Sequence, residues 1–216
     1  MNRTLIVVNL KAYDSAVGKN SENVIEACRK ASESTGEKVV VAPQPEDIFR
    51  VEGVEAFAQH VDGVEAGSHT GSILAKGVKD AGASGTLLNH SENRLRDREL
   101  EASINAADSL GLTTIVCAQT PEECRKYSSF GPDFIAYEPP ELIGGDTSVS
   151  EAKPHIVEEA VEKTVEGVET LTGAGIKKRE DVEKSIELGC KGVLVASGVV
   201  KAKDIQEEVE ELCEGL

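Results

Sequence analysis

The chain has 216 residues, 39% of them hydrophobic, which is enough to bury one well-filled core and suits one domain better than two. Its formal net charge is -16, from 39 acidic and 23 basic residues. A chain this acidic repels nucleic acid and anionic membranes, so the composition excludes both as expected partners. A bound anion would need a local site that overcomes the field of the whole protein.

The apolar run within the first ten residues is too short for a signal peptide, and no other stretch is long and apolar enough to cross a bilayer. The cysteine count is odd, with neither paired spacing nor a nearby histidine cluster. These features predict a cytoplasmic protein with reduced thiols and no structural zinc. The five cysteines are Cys28, Cys117, Cys124, Cys190 and Cys213.

Glutamate outnumbers aspartate by 29 to 10, and the segment 207–211 places like charges on neighbouring helical turns. Two interpretations stay open at this point. The acidic residues are either an adaptation to a salty cytoplasm or an ordinary solvated surface.

Short apolar runs alternate with longer stretches of helical periodicity along the whole chain. Because the runs are continuously apolar, they predict strands of a parallel sheet that is covered by helices. The eight predicted strands cover residues 4–9, 38–42, 61–65, 85–89, 113–118, 134–138, 167–171 and 192–196. Helical spacing is clearest in two sets, Val24, Ala27, Cys28 and Ala31, and Ile205, Val209 and Leu212.

Eight such strand–helix units favour a closed (β/α)8 barrel in a compact single domain over residues 1–216. The alternative is an open doubly wound sheet. No Gly-x-Gly-x-x-Gly follows the first predicted strand to mark a dinucleotide site in such a sheet. At this length the barrel is small for its class, so its helices and loops must be short.

The active site of such a barrel lies at the carboxyl ends of its strands. Four chemically capable residues end or follow predicted strands there, namely Asn9, Lys11, His90 and Glu138. Small-residue turns at 173–175 and 196–198 follow the last two strands. Each feature alone has an ordinary structural explanation, but their convergence on one rim predicts a functional site.

Glu138 ends an apolar strand and enters a loop with two prolines and two glycines, which indicates a general base with a lid over residues 139–150. His90 precedes Ser91, a favourable helix N-cap. We therefore expect a helix to begin directly after His90 and its dipole to disfavour the imidazolium form.

Three motifs together resemble the triosephosphate isomerase family, in particular its short archaeal form. They are Asn9-x-Lys11, the run Asn89-His90-Ser91-Glu92-Asn93-Arg94, and Tyr137-Glu138-Pro139 followed by Ile143-Gly144. The resemblance extends from Asn9 to Ser197, almost the whole chain. It implies a TIM barrel that interconverts dihydroxyacetone phosphate and glyceraldehyde 3-phosphate through an enediolate, in glycolysis and gluconeogenesis, with no metal or organic cofactor.

The resemblance also implies a role for each matching residue. Glu138 would be the base, His90 the electrophile that polarises the carbonyl, and Lys11 the cation that stabilises the enediolate. Glu92 matches the family's carboxylate beside the histidine, and Cys117 its strand-five cysteine. The implied substrate-binding residues are Asn9, Leu10, Lys11, Ile143, Gly144, Gly173, Ala196 and Ser197, the phosphate being held by backbone N–H groups.

The stretch 66–71 resembles the family's strand-three loop, which reaches into a neighbouring subunit. This stretch favours a homo-oligomer, and the sequence itself supports only that the protein is not a monomer. The archaeal resemblance implies a tetramer rather than a dimer. Two other functions stay open from the sequence. One is another phosphosugar-barrel enzyme, such as an epimerase or a lyase of amino-acid biosynthesis, and the other is a non-catalytic phosphate-sensing barrel.

Overall fold

The structure is a computed structural model that describes residues 4–142 and 148–216. Eight parallel strands pair in chain order, and the eighth pairs with the first to close the barrel. The predicted (β/α)8 barrel is therefore confirmed. The strands are β1 Leu5–Asn9, β2 Val39–Ala42, β3 Glu55–Ala58, β4 Gly85–Leu88, β5 Thr113–Ala118, β6 Phe134–Tyr137, β7 Glu169–Thr172 and β8 Gly192–Val195.

The α-helices cover the outside of the barrel and are short, as expected for a chain of this length. They are α1 Ser21–Thr35, α2 Ala75–Asp80, α3 Asp97–Asp108, α4 Pro121–Ser128, α5 Val149–Ala152, α6 Pro154–Lys163, α7 Arg179–Glu187, α8 Ser197–Val200 and α9 Ile205–Cys213. Short 3-10 segments lie at Asp14–Ala16, Gly18–Asn20, Pro45–Arg50 and Pro140–Leu142. In the described part of the chain, no helix is both long and apolar enough to span a membrane.

The predicted third strand at 61–65 is wrong. The observed β3 lies six residues earlier, at Glu55–Ala58, and it is rich in alanine, which has a low strand propensity. The segment 61–65 is instead part of the loop after β3, where Gly63 packs so closely that a Cβ would come within 2.5 Å of Ala102. Its Val and Glu residues imitate a strand pattern, but tertiary packing decides the outcome.

The core has two layers, because successive side chains of a strand point to opposite faces of the sheet. In β1, Leu5 and Val7 belong to the cluster inside the barrel, whereas Ile6 and Val8 pack outward against the helices. The inner cluster also contains Phe57 of β3. This alternation continues past the strand ends and decides which residues reach the mouth of the barrel.

Candidate active site

The alternation of the strands brings five residues from different strands into the barrel mouth. Each follows an inward-facing core residue by two positions, as Asn9 follows Val7 and Glu138 follows Ala136. The five are Asn9, Asn89, Glu138, Gly173 and Ala196. Apart from Asn89, they line a cavity of about 230 Å³ at the carboxyl ends of the strands.

That cavity also contains Lys11, His90, Glu92 and Ser197, so the structure brings together most of the residues that the sequence singled out. It is smaller than the pockets of roughly 300–1,000 Å³ that are typical for drug-sized ligands. Its size suits a small metabolite. The predicted binding residues Ile143 and Gly144, and the central part of the predicted lid, lie outside the described residues.

Leu10, which the resemblance assigns to substrate binding, does not line this cavity. It is fully buried in the layer between the barrel and the helices. Leu10 continues the outward series of Ile6 and Val8, so its side chain points away from the mouth. Its backbone N–H donates to the carbonyl of Ala42, 3.0 Å away, and is therefore not available to a ligand.

Glu138 lies in the mouth with only 3% of its surface exposed. Among the described residues, its Oε2 atom has no hydrogen-bond partner. Burial raises the pKa of the carboxyl above its ordinary value, although His90, Cys117 and Lys11 oppose that shift. A buried, unpartnered carboxylate oxygen with a raised pKa is suited to accept a proton.

Gly173 makes room for this carboxylate. A Cβ at position 173 would come within 2.6 Å of Cγ and 2.7 Å of Oε1 of Glu138. The N–H of Gly173 donates to the carbonyl of Tyr137 at 3.0 Å. The strand ladder therefore already uses the N–H that the resemblance assigns to the phosphate.

His90 faces Glu138 across the cavity, with 3.9 Å between its Nε2 atom and Oε2 of the carboxylate. The backbone N–H of Glu92 donates to Nδ1 of His90 at 3.2 Å. An acceptor Nδ1 carries no proton, which assigns the imidazole as neutral with its proton on Nε2. The ring therefore presents an N–H donor to the cavity.

The helix expected directly after His90 does not form. Residues 91–93 make a turn in which the N–H of Asn93 donates to the carbonyl of His90, and α3 begins only at Asp97. The helix-dipole argument for a neutral imidazole is thus wrong, and the hydrogen bond from Glu92 replaces it. Asn89 supplies the sharp bend before His90, since its φ is 60° and its Oδ1 accepts from the N–H of Leu95.

Lys11 has a strained backbone that neighbouring side chains hold in place. Its φ of 48° is in the left-handed region, which is uncommon for a residue other than glycine. Asn9 Oδ1 accepts from its N–H at 3.0 Å. The amide groups of Gln44 and Gln59 both donate to its carbonyl, at 2.8 and 2.9 Å. The Nζ atom lies 2.8 Å from Glu92 Oε1.

Sequence reasoning missed Gln44 and Gln59, and it gave no role to His60. The signal for Gln59 was present, because it follows the inward-facing Phe57 by two positions. The misplaced third strand hid that relation. Gln44, Gln59 and His60 line a second cavity of about 430 Å³, which shares Lys11 and other mouth residues with the first.

The opposite end of the first cavity is formed mainly by backbone. Gly175, Ser197 and Gly198 line it, and no hydrogen bond found among the described residues uses their backbone N–H groups as donors. Ala196 contributes the bend before them, with φ and ψ of -142° and -91°. Unpaired N–H groups that converge on a small cavity are suited to bind an anion.

Comparison with known proteins places the chain in a family. The model of a family described as Triosephosphate isomerase matches residues 4–214. The chain belongs to the triosephosphate isomerase family. The fold agrees with this assignment. A crystal structure of triosephosphate isomerase from Bartonella henselae covers 98% of both chains with a TM-score of 0.75, at 21% sequence identity.

Relatives named triosephosphate isomerase are considerably more similar in sequence. The protein of Methanococcoides burtonii is 47% identical over 197 residues, 88% of this chain and 89% of that protein. The Methanocaldococcus jannaschii protein is 46% identical over 199 residues, 89% and 91% of the two chains. The Methanosarcina acetivorans protein is 44% identical over 203 residues, 91% of each. The predicted resemblance to archaeal triosephosphate isomerases is thus confirmed.

Proposed function

We propose that this enzyme interconverts dihydroxyacetone phosphate and glyceraldehyde 3-phosphate by proton transfer through an enediolate. The observation that carries the proposal is the pairing of a buried base and a neutral imidazole. Glu138 Oε2 and His90 Nε2 are 3.9 Å apart in a cavity of about 230 Å³. This arrangement supplies an acceptor for a carbon-bound proton and a donor for the carbonyl oxygen beside it.

In the forward direction, the Glu138 carboxylate removes a proton from the hydroxymethyl carbon next to the carbonyl. The carbon–hydrogen electron pair forms the double bond of the enediolate, and the carbonyl oxygen takes up negative charge. His90 then passes the hydroxyl proton of that carbon to the former carbonyl oxygen, and Glu138 returns its proton to the former carbonyl carbon, which gives the aldehyde. The raised pKa of Glu138 favours the first step, because it makes the carboxylate a stronger base.

The developing oxyanion needs donors that are in place before the reaction. His90 offers its Nε2–H, and Asn9 and Lys11 reach the same cavity from the end of β1. A neutral imidazole can pass a proton between the two substrate oxygens without the large energy gap that a strongly acidic imidazolium would create. Glu92 positions both Lys11 and His90, through its side chain and its backbone N–H respectively.

We propose that the substrate phosphate binds at the backbone end of the cavity. The N–H groups of Gly175, Ser197 and Gly198 line that end. This set keeps Ser197 from the sequence prediction and replaces the N–H of Gly173, whose donor is used in the barrel.

The variant Glu138→Gln tests the function, because the amide keeps the shape of the side chain and cannot act as a base. We expect kcat to fall by about 10²–10⁴-fold in a coupled assay with glyceraldehyde 3-phosphate. Binding of inorganic phosphate, measured by calorimetry, should be retained. Glu169→Gln is the matched control, because Glu169 begins β7 at the opposite end of the barrel. Full activity of Glu138→Gln would contradict the proposal, and an inactive wild type would favour a non-catalytic phosphate-binding barrel.

We further propose a cytoplasmic enzyme of glycolysis and gluconeogenesis that forms a homo-oligomer, a tetramer rather than a dimer. Five buried cysteines, none in a disulfide, support a reducing compartment. The exposed stretch 66–71 and the open second cavity beside Lys11 support contact with another copy of the chain. Light scattering after size-exclusion chromatography should give the mass of four chains of 22.9 kDa. The mass of a single chain would refute the assembly.

A further inference from the structure

Tyr13 takes part in the wall of the first cavity, although the sequence gave no reason to select it. It stands two residues after Lys11 and lines the cavity together with Ser197, the first residue of α8. Its half-buried ring also packs against the outer core cluster, which contains Val199 and Val200 of the same helix. Tyr13 thus connects the loop after β1 with the surroundings of α8.

A cation from the other end of α8 lies over this ring. Lys201 follows α8 directly, and its Nζ atom is 4.7 Å from the centre of the Tyr13 ring. An ammonium group at such a distance from an aromatic face is attracted by the quadrupole of the ring. The backbone N–H of Lys201 donates to the carbonyl of Ser197 at 3.2 Å, so the contact is coupled to the first residue of α8 as well.

The helix α8 depends on tertiary contacts for its position. It has four residues, which is too short for a stable helix by itself, and Ala196 before it provides no side-chain cap. The side chains of Val199 and Val200 are buried, but burial of apolar surface is a non-directional interaction. The contact between Lys201 and Tyr13 instead joins α8 to the loop that carries Lys11.

The position of α8 matters because the proposed substrate occupies both ends of the cavity at once. Its reacting carbons lie beside Glu138 and His90, and its phosphate lies at the start of α8 in the proposed function. A molecule of three carbons cannot adjust its length to a displaced helix. A misplacement of about 1 Å between a substrate and its catalytic groups can cost on the order of 100-fold in rate.

We propose that Tyr13 and Lys201 form a brace that fixes the distance between Lys11 and α8, which makes Tyr13 a positioning residue. This inference rests on the proposed function and goes beyond it, because the brace supplies no group to the proton transfer or to the phosphate. It restricts the movement of α8. The brace therefore acts on a substrate that spans the cavity and has no effect on one that occupies the proton-transfer end alone.

The test is a double-mutant cycle of Tyr13→Leu and Lys201→Met with glyceraldehyde 3-phosphate as the substrate. Each single variant should lower kcat/KM about two- to fivefold, the factor that a cation–π contact at an exposed site is worth. The double variant should lose no more than the larger single loss, because both substitutions remove the same contact. Lys201→Arg, which keeps a cation over the ring, should restore most of the value. Losses that multiply would show that Lys201 acts as an independent charge and would refute the brace.

Lys126→Met is the matched control. The Nζ atom of Lys126 lies 5.5 Å from the centre of the Tyr127 ring on α4, and neither residue lines the first cavity. This variant should leave kcat/KM unchanged. Unphosphorylated glyceraldehyde occupies only the proton-transfer end, so its kcat/KM should be equal in wild type and Lys201→Met. An equal loss with both substrates would indicate general damage and overturn the proposal. Lys201 is exposed, so its variant should fold even if Tyr13→Leu does not.

Amide hydrogen exchange measures the brace without any turnover. The N–H groups of Val200 and Lys201 donate to the carbonyls of Ala196 and Ser197, at 2.9 and 3.2 Å, and they exchange when α8 opens. Exchange at positions 200 and 201 should be about two- to fivefold faster in both brace variants than in wild type, and unchanged in the control. Unchanged exchange in the brace variants would overturn the brace and leave the proposed function intact. If wild type shows no turnover, the proposed function fails, and the exchange rates alone decide whether the brace exists.

Discussion

The mouth of the barrel and its helical outer surface use charged groups in opposite ways. On α1, Arg29 lies between the exposed carboxylates of Glu26 and Glu33, at 2.7 and 2.5 Å, and each charge has a partner. In the mouth, Glu138 is buried with one oxygen unpartnered among the described residues. Lys11 adopts a strained backbone there. The paired charges on the surface stabilise the fold. The unpartnered carboxylate oxygen and the strained backbone in the mouth lower its stability but hold reactive groups in fixed positions.

Adding one methyl group to the mouth should cause the largest loss of activity. Gly173→Ala places a Cβ within 2.6–2.9 Å of three atoms of Glu138, which must move. A displacement of about 1 Å at a catalytic group can cost on the order of 100-fold in rate, and we expect a loss of that size in kcat. Gly77→Ala in α2 is the control, because a Cβ there meets only Leu74 at 3.9 Å. Normal activity in Gly173→Ala would show that the base is less tightly fixed than the geometry indicates.

A smaller loss should follow from releasing the backbone of Lys11. Gln59→Ala removes donors to the carbonyls of Lys11 and Ala42, both at 2.9 Å. With about 1–1.5 kcal/mol for such a bond, kcat/KM should fall about tenfold. Gln206→Ala, which removes a surface amide bonded to Glu210, should leave kcat/KM unchanged. If Gln59→Ala keeps the wild-type value, the strained conformation of Lys11 does not depend on its amide partners.

The pH dependence of stability should have opposite signs for a carboxyl group in the mouth and one on the surface. The raised pKa of Glu138 means that the folded state holds a proton more tightly than the unfolded chain, so its contribution to stability declines as pH rises from about 4.5 through the folded-state pKa. Glu138→Gln should therefore melt above wild type at pH 8, and this advantage should shrink as pH falls toward 4.5. Enzyme activity should be lost on the acid side as the base becomes protonated.

The surface control for this measurement is Glu26. Its hydrogen bond from Arg29 lowers the pKa of the carboxyl to about 2, so its stabilising effect is present above pH 4.5 and is lost as pH falls toward 2. Glu26→Gln should melt below wild type at pH 8. Differential scanning calorimetry of both variants between pH 3 and 8 measures the two effects. The same sign in both variants at pH 8 would contradict the contrast between mouth and surface.

The smallest effect should come from neighbouring like charges on the surface. On α9, partial burial and the carboxylates of Glu211 and Glu207 raise the pKa of Glu208. Sodium chloride shortens the Debye length from about 30 Å at 0.01 M to about 3 Å at 1 M, so the melting temperature should rise with salt. At low salt, Glu208→Gln should raise the free energy of unfolding by a few tenths of a kcal/mol, and Glu33→Gln, which breaks a pair with Arg29, should lower it. A flat or falling salt dependence would favour the interpretation as an ordinary solvated surface.

Much of the fold and the reacting residues could be predicted from the sequence, because buried parallel strands are continuously apolar and their carboxyl ends meet at one rim. The prediction failed at β3, where alanine-rich residues pair as a strand against their own propensity. That single error also concealed Gln59. The outward direction of the Leu10 side chain was missed for a related reason, since motif resemblance marks positions along a chain without stating which face of the strand each side chain occupies.

Other features of the site depend on backbone conformations that cannot be predicted from the residue pattern. The left-handed residues Lys11 and Asn89 are held by hydrogen bonds with distant parts of the chain, such as Gln44 and Cys117. Likewise, a short turn follows His90 in place of the expected helix. In each case, contacts between elements override the local preference of the residue.

The two-residue alternation of the strands has a consequence for how the chain can change in length. Inserting or deleting one residue within β6 before Glu138 would turn its carboxylate from the mouth toward the helices, even though every amino acid of the site were still present. A substitution changes the contacts of one side chain. An insertion or deletion of one residue instead exchanges the inward-facing and outward-facing side chains of the strand beyond that point. Variation in length should therefore be confined to loops, and the strands should keep their count while their residues diverge.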